Sequence, residues 1–96
     1  MYYFKRYWDE STGNTLTDSW GTSCFYFETE ADGTVIRQIQ VFDNNNALKY
    51  TVDYDEDGFG GLSEIALEIE EFERYHIEQS EFEWAWATVP RYASSA

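Results

Sequence analysis

The sequence predicts an α+β domain in which an antiparallel sheet of about four strands, connected as a meander, is covered by a C-terminal helix. In the first half of the chain, polar and apolar residues alternate within several short segments, and turn residues separate these segments. Near the end of the chain, apolar residues recur with the spacing of a helix. Ninety-six residues suffice for one hydrophobic core. We therefore expect a single compact domain over residues 1–89 and a flexible C-terminal tail over residues 90–96.

Four segments have the composition and alternation of strands, namely residues 2–8, 23–29, 34–43 and 47–54. In the first of them, alternation places four side chains on one face, those of Tyr2, Phe4, Arg6 and Trp8. The polar residues 9–22 predict a long loop. Asp32 and Gly33 then supply the positive φ angles of a tight hairpin turn. Asparagines 44–46 form the next turn, which completes the meander.

A short helix is predicted close to the end of the chain. Ser80 and Glu83 match a capping box, and Pro90 ends the helix. Its apolar side consists of Phe82, Ala85, Trp86 and Val89. Phe82 and Trp86 are expected to dock on the sheet, which leaves Trp84 pointing outward. Residues 63–75 fit helical spacing and strand alternation equally well, so both structures remain open there.

The acidic residues are concentrated in residues 53–83. This segment holds twelve of the nineteen carboxylates and one basic residue, Arg74, in a chain of net charge −13. The 20% aromatic content excludes a disordered acidic tail. Solubility alone would be served better by evenly spread charge, so the concentration predicts a surface that attracts a positively charged partner.

The same charge makes direct binding to nucleic acid or to anionic membranes unfavourable, because phosphates would be repelled. No apolar run is long enough for a membrane span, and the N-terminal apolar stretch is too short for a signal peptide. We therefore expect a cytoplasmic protein.

The predicted partner is a basic protein such as a toxin or a nuclease, which the acidic surface would bind and neutralise. An exposed tryptophan is a common anchor of such interfaces, and covering the edge of the sheet is an equal alternative for Trp84. The residues predicted to contact the partner are Asp55, Glu56, Asp57, Glu70, Glu71, Glu73, Glu81 and Trp84. A variant of this function is nucleic-acid mimicry, in which the carboxylates replace phosphates in the groove of an enzyme.

Calcium binding is an alternative function, because residues 53–64 match the ligand positions of an EF-hand loop. The ligands would be Asp53, Asp55, Asp57, the carbonyl of Phe59, and Glu64. The surroundings differ from those of an EF-hand. A predicted strand enters the loop instead of a helix, Gly60 occupies the position that pairs with a partner loop, and no second loop exists. A charged glycine-rich turn is therefore the favoured explanation of the segment, and calcium binding is the alternative.

No residue constellation specifies a catalytic chemistry, and we expect that the protein is not an enzyme and needs no cofactor. Cys24 and His76 are the only residues of their kinds, so an intramolecular disulfide, a multi-cysteine zinc site and a multi-histidine site are excluded. The paired carboxylates are better explained as a solvated face than as a glycosidase pair.

An acidic hairpin and an arginine-containing strand occupy residues 25–42, and the helix carries Glu81-Phe82-Glu83-Trp84-Ala85-Trp86. Over residues 20–88, the order and spacing of these features resemble a family of small acidic bacterial domains of unknown function. Members of that family are similar to the immunity or inhibitor proteins that accompany bacterial toxins. The resemblance implies an inhibitor-type function and identifies no catalytic residues.

Overall fold

A computed structural model describes residues 1–9 and 15–91 of the chain. Within these residues, four strands form one antiparallel sheet in the order β1-β2-β3-β4: β1 (Tyr2–Trp8), β2 (Ser23–Thr29), β3 (Val35–Phe42) and β4 (Ala47–Thr51). Two helices follow, α1 (Ile69–Phe72) and α2 (Gln79–Thr88), and 3-10 turns span Asp18–Trp20 and Glu73–Tyr75. The predicted α+β meander with a C-terminal helix is confirmed. Parts of the predicted loop and of the predicted tail, residues 10–14 and 92–96, lie outside the described residues.

The hairpin between β2 and β3 differs in detail from the prediction. Only Gly33 has a positive φ angle, of 91°, and Asp32 does not. The Gly33 amide donates to the Glu30 carbonyl at 2.9 Å, and the Glu30 amide donates to the Thr34 carbonyl at 2.9 Å. The loop is therefore a four-residue turn that ends in a left-handed glycine, where only one residue needs a positive φ angle. Asp32 has another role, because its carboxylate accepts a hydrogen bond from the Thr34 amide at 3.0 Å.

Several element boundaries also differ from the prediction, and the structure of the undecided segment is now defined. β4 ends at Thr51, since Thr51 and Tyr54 exchange backbone hydrogen bonds of 3.0 and 3.2 Å that turn the chain back. α2 begins at Gln79 with Glu78 as its N-cap, and no side chain caps it, so the predicted Ser80 capping box is wrong. The undecided segment is irregular up to residue 68 and helical from Ile69 onward.

Both faces of the sheet are covered. On one face α2 packs through a buried cluster, which consists of Tyr3, Ile39, Phe82 and Ala85. On the other face, residues 54–75 cover two clusters, which consist of Phe4, Phe27, Val35 and Phe72, and of Trp20, Phe42, Leu48 and Tyr50. The sequence predicted only the helical cover. The second cover comes from the acidic segment itself, whose few large apolar side chains are spaced irregularly. In the described part of the chain, no helix is long and apolar enough to cross a membrane.

A buried glutamine attaches the acidic segment to the sheet. The Gln38 side chain is 5% exposed. Its amide nitrogen donates to the carbonyl of Gly61 at 3.1 Å, and its amide oxygen accepts from the Ser63 amide at 2.9 Å. The buried amide is thereby satisfied, and the backbone beside it is held in one position.

On the opposite face, Arg37 connects the sheet to α2. Its guanidinium donates to Glu28 and to Glu83 at 2.5 Å each, and lies 4.9 and 5.0 Å from the ring centroids of Phe82 and Trp86. Glu28 also accepts a hydrogen bond from the Tyr3 hydroxyl at 2.8 Å. Burial alone would raise the pKa of Glu28, but the bonds from Arg37 and Tyr3 outweigh burial and lower it.

Candidate functional site

A cleft of about 500 Å³ lies beside the edge strand β1. Its walls come from β1 and from the helical segment that follows residue 68. The residues that line it are Tyr2, Phe4, Ile69, Glu70, Glu73 and His76. Aromatic and aliphatic side chains thus share the cleft with two carboxylates, although these residues are far apart in the sequence.

The packing beneath the cleft holds the two glutamates in place. Phe72 lies between Glu70 and Glu73 in the sequence, and its side chain is buried. Its ring lies 5.7 Å from the ring of Phe4 and 6.1 Å from that of Phe27. His76 forms an isolated β-bridge with Phe4, and the amide of Ile77 donates to the Tyr3 carbonyl at 2.9 Å. With Phe72 pointing inward, Glu70 and Glu73 are left exposed on the outer side of the same turn.

The carboxylates of the cleft form no ion pair with another residue of the described part of the chain. Among residues 1–9 and 15–91, the ion pairs join Lys5 to Glu81 and Arg37 to Glu28 and Glu83. Glu70 and Glu73 take part in none of them. The nearby Arg74 stacks on its neighbour Tyr75 instead, at 5.8 Å from the ring centroid. The negative charge of the cleft is therefore available to a ligand.

The shape and chemistry of the cleft suit a long basic side chain. Lysine and arginine place a charged head on an apolar stem, and they bury the stem while the head meets carboxylates. Here Tyr2 is 38% exposed, and its ring stands 6.2 Å from that of the buried Phe4, so one aromatic ring is available beside the two glutamates. An aromatic face attracts a cation as well, which adds to the effect of the carboxylates.

The residues predicted to bind a partner are distributed over several parts of the surface. Glu70 and Glu73 line the cleft, and Glu71 is exposed on the same turn. Asp55 and Glu56 line a separate cleft of about 200 Å³, together with Glu64. Glu81 lies 3.7 Å from Lys5, and Trp84 is 63% exposed on α2, as predicted.

Sequence reasoning missed the other residues of the main cleft, which are Tyr2, Phe4, Ile69 and His76. Alternation along β1 does place Tyr2 beside Phe4, which is a usable signal. Nothing in the sequence indicates that residues 69–76 lie against that end of β1, because the two segments in contact are far apart along the chain.

Asp57 organises the loop after β4. One carboxylate oxygen accepts from the Tyr50 hydroxyl at 2.8 Å and from the amides of Phe59 and Gly60 at 2.8 and 3.2 Å. The other accepts from the Tyr54 hydroxyl at 3.0 Å. Partial burial would raise the pKa of Asp57, but these hydrogen bonds outweigh burial and lower it. Both oxygens of this predicted site residue are thus used inside the protein.

Substitution of Asp57 by asparagine is expected to lower the free energy of unfolding by about 2 kcal/mol at neutral pH, because a charged acceptor of several hydrogen bonds is lost. The folded-state pKa is lowered, so this stabilisation is complete above the ordinary value of 3.8 and disappears as the pH falls below it. Urea unfolding at several pH values measures both effects. The control is the exposed Asp53→Asn, which should change stability by less than about 0.5 kcal/mol. Equal effects of the two substitutions would contradict this role.

The proposed calcium ligands do not form a compact set. In the part of the chain that the structure describes, no group of three or more acidic, histidine or cysteine side chains lies close enough together to hold a metal ion. The chain also enters the loop from a strand and a tight turn, not from a helix. Calcium binding therefore rests on the sequence match alone.

Comparisons with protein-family models, with curated proteins and with solved structures find no match for this chain. The geometry of the cleft and the charge around it are therefore the basis for the functional argument.

Proposed function

We propose that this protein is a small protein-binding module of the inhibitor or immunity type, which captures a basic protein by accepting a lysine or arginine side chain in the cleft of Glu70 and Glu73. The observation that carries the proposal is the combination of these two carboxylates, which form no ion pair within residues 1–9 and 15–91, with the exposed ring of Tyr2 and the apolar walls of the same cleft. The resemblance to small acidic immunity-type domains supports the same function.

The charge distribution supports fast and selective capture. Twelve carboxylates and one basic residue in residues 53–83 give that segment a charge of −11. Such a field steers a basic protein toward the surface and raises association rates toward about 10⁸–10⁹ M⁻¹s⁻¹ at low salt. The cleft then limits dissociation, because a basic side chain inside it is partly desolvated and held by two carboxylates.

Capped peptides that contain one arginine provide the first test. Titrations followed by amide NMR shifts should perturb the cleft residues, and a peptide with glutamine in place of arginine should not. Replacing Glu70 and Glu73 together by glutamine is expected to weaken binding of the arginine peptide about tenfold, since two carboxylate contacts of up to about 1 kcal/mol each are lost.

The matched control is Asp53→Asn combined with Glu64→Gln, which changes the net charge by the same amount at exposed positions outside the cleft. This variant should weaken binding less than about twofold at physiological salt, because exposed charges beyond a Debye length are screened. If both double variants weakened binding equally, the cleft would not be the site and only net charge would matter.

A further inference from the structure

A second cleft lies farther along the same strand, and unlike the first it contains an arginine, Arg6. Arg6 is surrounded by aromatic rings, with its guanidinium carbon 5.2 Å from the ring centroid of Trp8, 5.2 Å from that of Phe72 and 5.1 Å from that of Tyr75. The cleft has a volume of about 320 Å³, and the residues that line it are Arg6, Tyr7, Trp8, Asp9 and Tyr75.

Arg6 has no anionic partner in the described residues, although the chain carries nineteen carboxylates. None of the ion pairs there includes it, and no side-chain hydrogen bond within residues 1–9 and 15–91 involves its guanidinium. Asp9 lines the same cleft but lies beyond ion-pair distance. Stacking uses the faces of a guanidinium and leaves the N–H groups at its edge, which is where a carboxylate binds in a bidentate pair.

The two clefts form one row along β1. Tyr2 and Phe4 line the cleft of Glu70 and Glu73, and Arg6 and Trp8 line the cleft that also contains Asp9. All four side chains belong to the same face of the strand. Tyr2 and Arg6 are four residues apart, as are Phe4 and Trp8, and four residues of a strand span about 13 Å. An extended segment of a partner has the same repeat, so two of its side chains four residues apart would reach both clefts.

We propose that the row binds an extended segment of the partner protein that carries a basic residue and an acidic residue four positions apart, the basic one in the cleft of Glu70 and Glu73 and the acidic one on Arg6. This inference rests on the proposed function and specifies the partner more narrowly. It also explains why Arg6 is held by rings instead of by one of the many carboxylates of its own chain.

Capped peptides of serine and threonine that carry arginine and glutamate test the spacing, in both orders and with separations of two, four and six positions. A protein of charge −13 repels added negative charge, so glutamate should weaken binding wherever it does not reach Arg6. At a separation of four, glutamate is instead expected to strengthen binding about fivefold relative to glutamine in the same place. A weakening at that separation in both orders would overturn the inference.

Variants of the protein separate the two proposals. Arg6→Gln should abolish the preference for glutamate while the dependence on the arginine of the peptide persists, and Arg6→Lys should retain part of the preference through its charge. If Glu70→Gln with Glu73→Gln weakens binding but Arg6→Gln leaves the glutamate preference unchanged, the inference fails and the proposed function stands. If no peptide binds, both fail. The peptide comparison uses the unaltered protein, so it stays decisive even if an Arg6 variant does not fold.

Discussion

Replacement of Arg37 by leucine is expected to lower the free energy of unfolding by about 3 kcal/mol. Glu28 is only 7% exposed, and Arg37 is the one basic side chain that pairs with it in the described part of the chain. Removal of Arg37 leaves the buried charge of Glu28 with only the Tyr3 hydrogen bond, and breaking such a pair costs more than the pair itself contributes. The variant also loses the contact between the sheet and Glu83 of α2.

The pH dependence gives this prediction a second measurement. In the native protein the pKa of Glu28 is lowered, so Glu28 stabilises the fold above its ordinary value of 4.5 and loses that effect as the pH falls. Without Arg37, only the Tyr3 hydrogen bond and the N-terminal charge still oppose the effect of burial, so the pKa of Glu28 rises relative to the native protein. The stability lost by the variant should therefore shrink as the pH is lowered. Chemical denaturation from neutral to acidic pH compares the two proteins.

Two further variants control the Arg37 experiment. Adding Glu28→Gln to Arg37→Leu removes the orphaned charge and should restore part of the lost stability at neutral pH. Lys5→Met breaks the pair with Glu81, whose side chains are 43% and 45% exposed and 3.7 Å apart, and should cost less than about 1 kcal/mol. Equal losses for Lys5→Met and Arg37→Leu would contradict the argument from burial.

Substitution of Gly33 by alanine is expected to destabilise the protein by about 3 kcal/mol. Gly33 has a φ angle of 91°, and a Cβ atom at this position would stand 2.1 Å from the carbonyl oxygen of Leu67. Backbone cannot move aside as a flexible side chain can, and the conformation itself is unfavourable for alanine. Leu67 also donates its amide to the Gly33 carbonyl at 2.9 Å, so the hairpin and the acidic segment are displaced together.

Gly58→Ala is the matched control for the hairpin, because no atom lies within 4 Å of a Cβ at that position and its φ angle is not positive. It should leave stability unchanged or raise it by up to about 1 kcal/mol through the unfolded state. Thermal unfolding measures both variants, and amide NMR shifts should reveal changes over residues 62–75 only in Gly33→Ala. If Gly33→Ala were as stable as the native protein, the close approach to Leu67 would not exist in solution.

Local sequence was a sufficient guide where an element buries a regular pattern. The alternation in residues 2–8 and 23–29 predicted β1 and β2 at their observed bounds, because every second side chain of these strands faces one side of the sheet. The spacing of Phe82, Ala85 and Trp86 predicted the buried side of α2 and the exposure of Trp84, because residues three and four positions apart lie on one side of a helix. Residues 63–75 fit both helical spacing and strand alternation, and only Phe72 is buried there. The apolar residues of this segment therefore do not bury a regular pattern, and they could not predict its structure.

The sequence by itself determined the meander, the docking of the C-terminal helix and the concentration of negative charge after residue 52. Only the tertiary structure decided which carboxylates are bound by donors inside the protein and which face a cleft. Asp57 and Glu70 are both carboxylates of the acidic segment, and the sequence does not distinguish them. In the structure, hydroxyl and amide donors surround Asp57, whereas Glu70 faces a cleft. Whether a charge is neutralised depends on contacts between residues far apart along the chain, and a pattern of neighbouring residues contains no information about them.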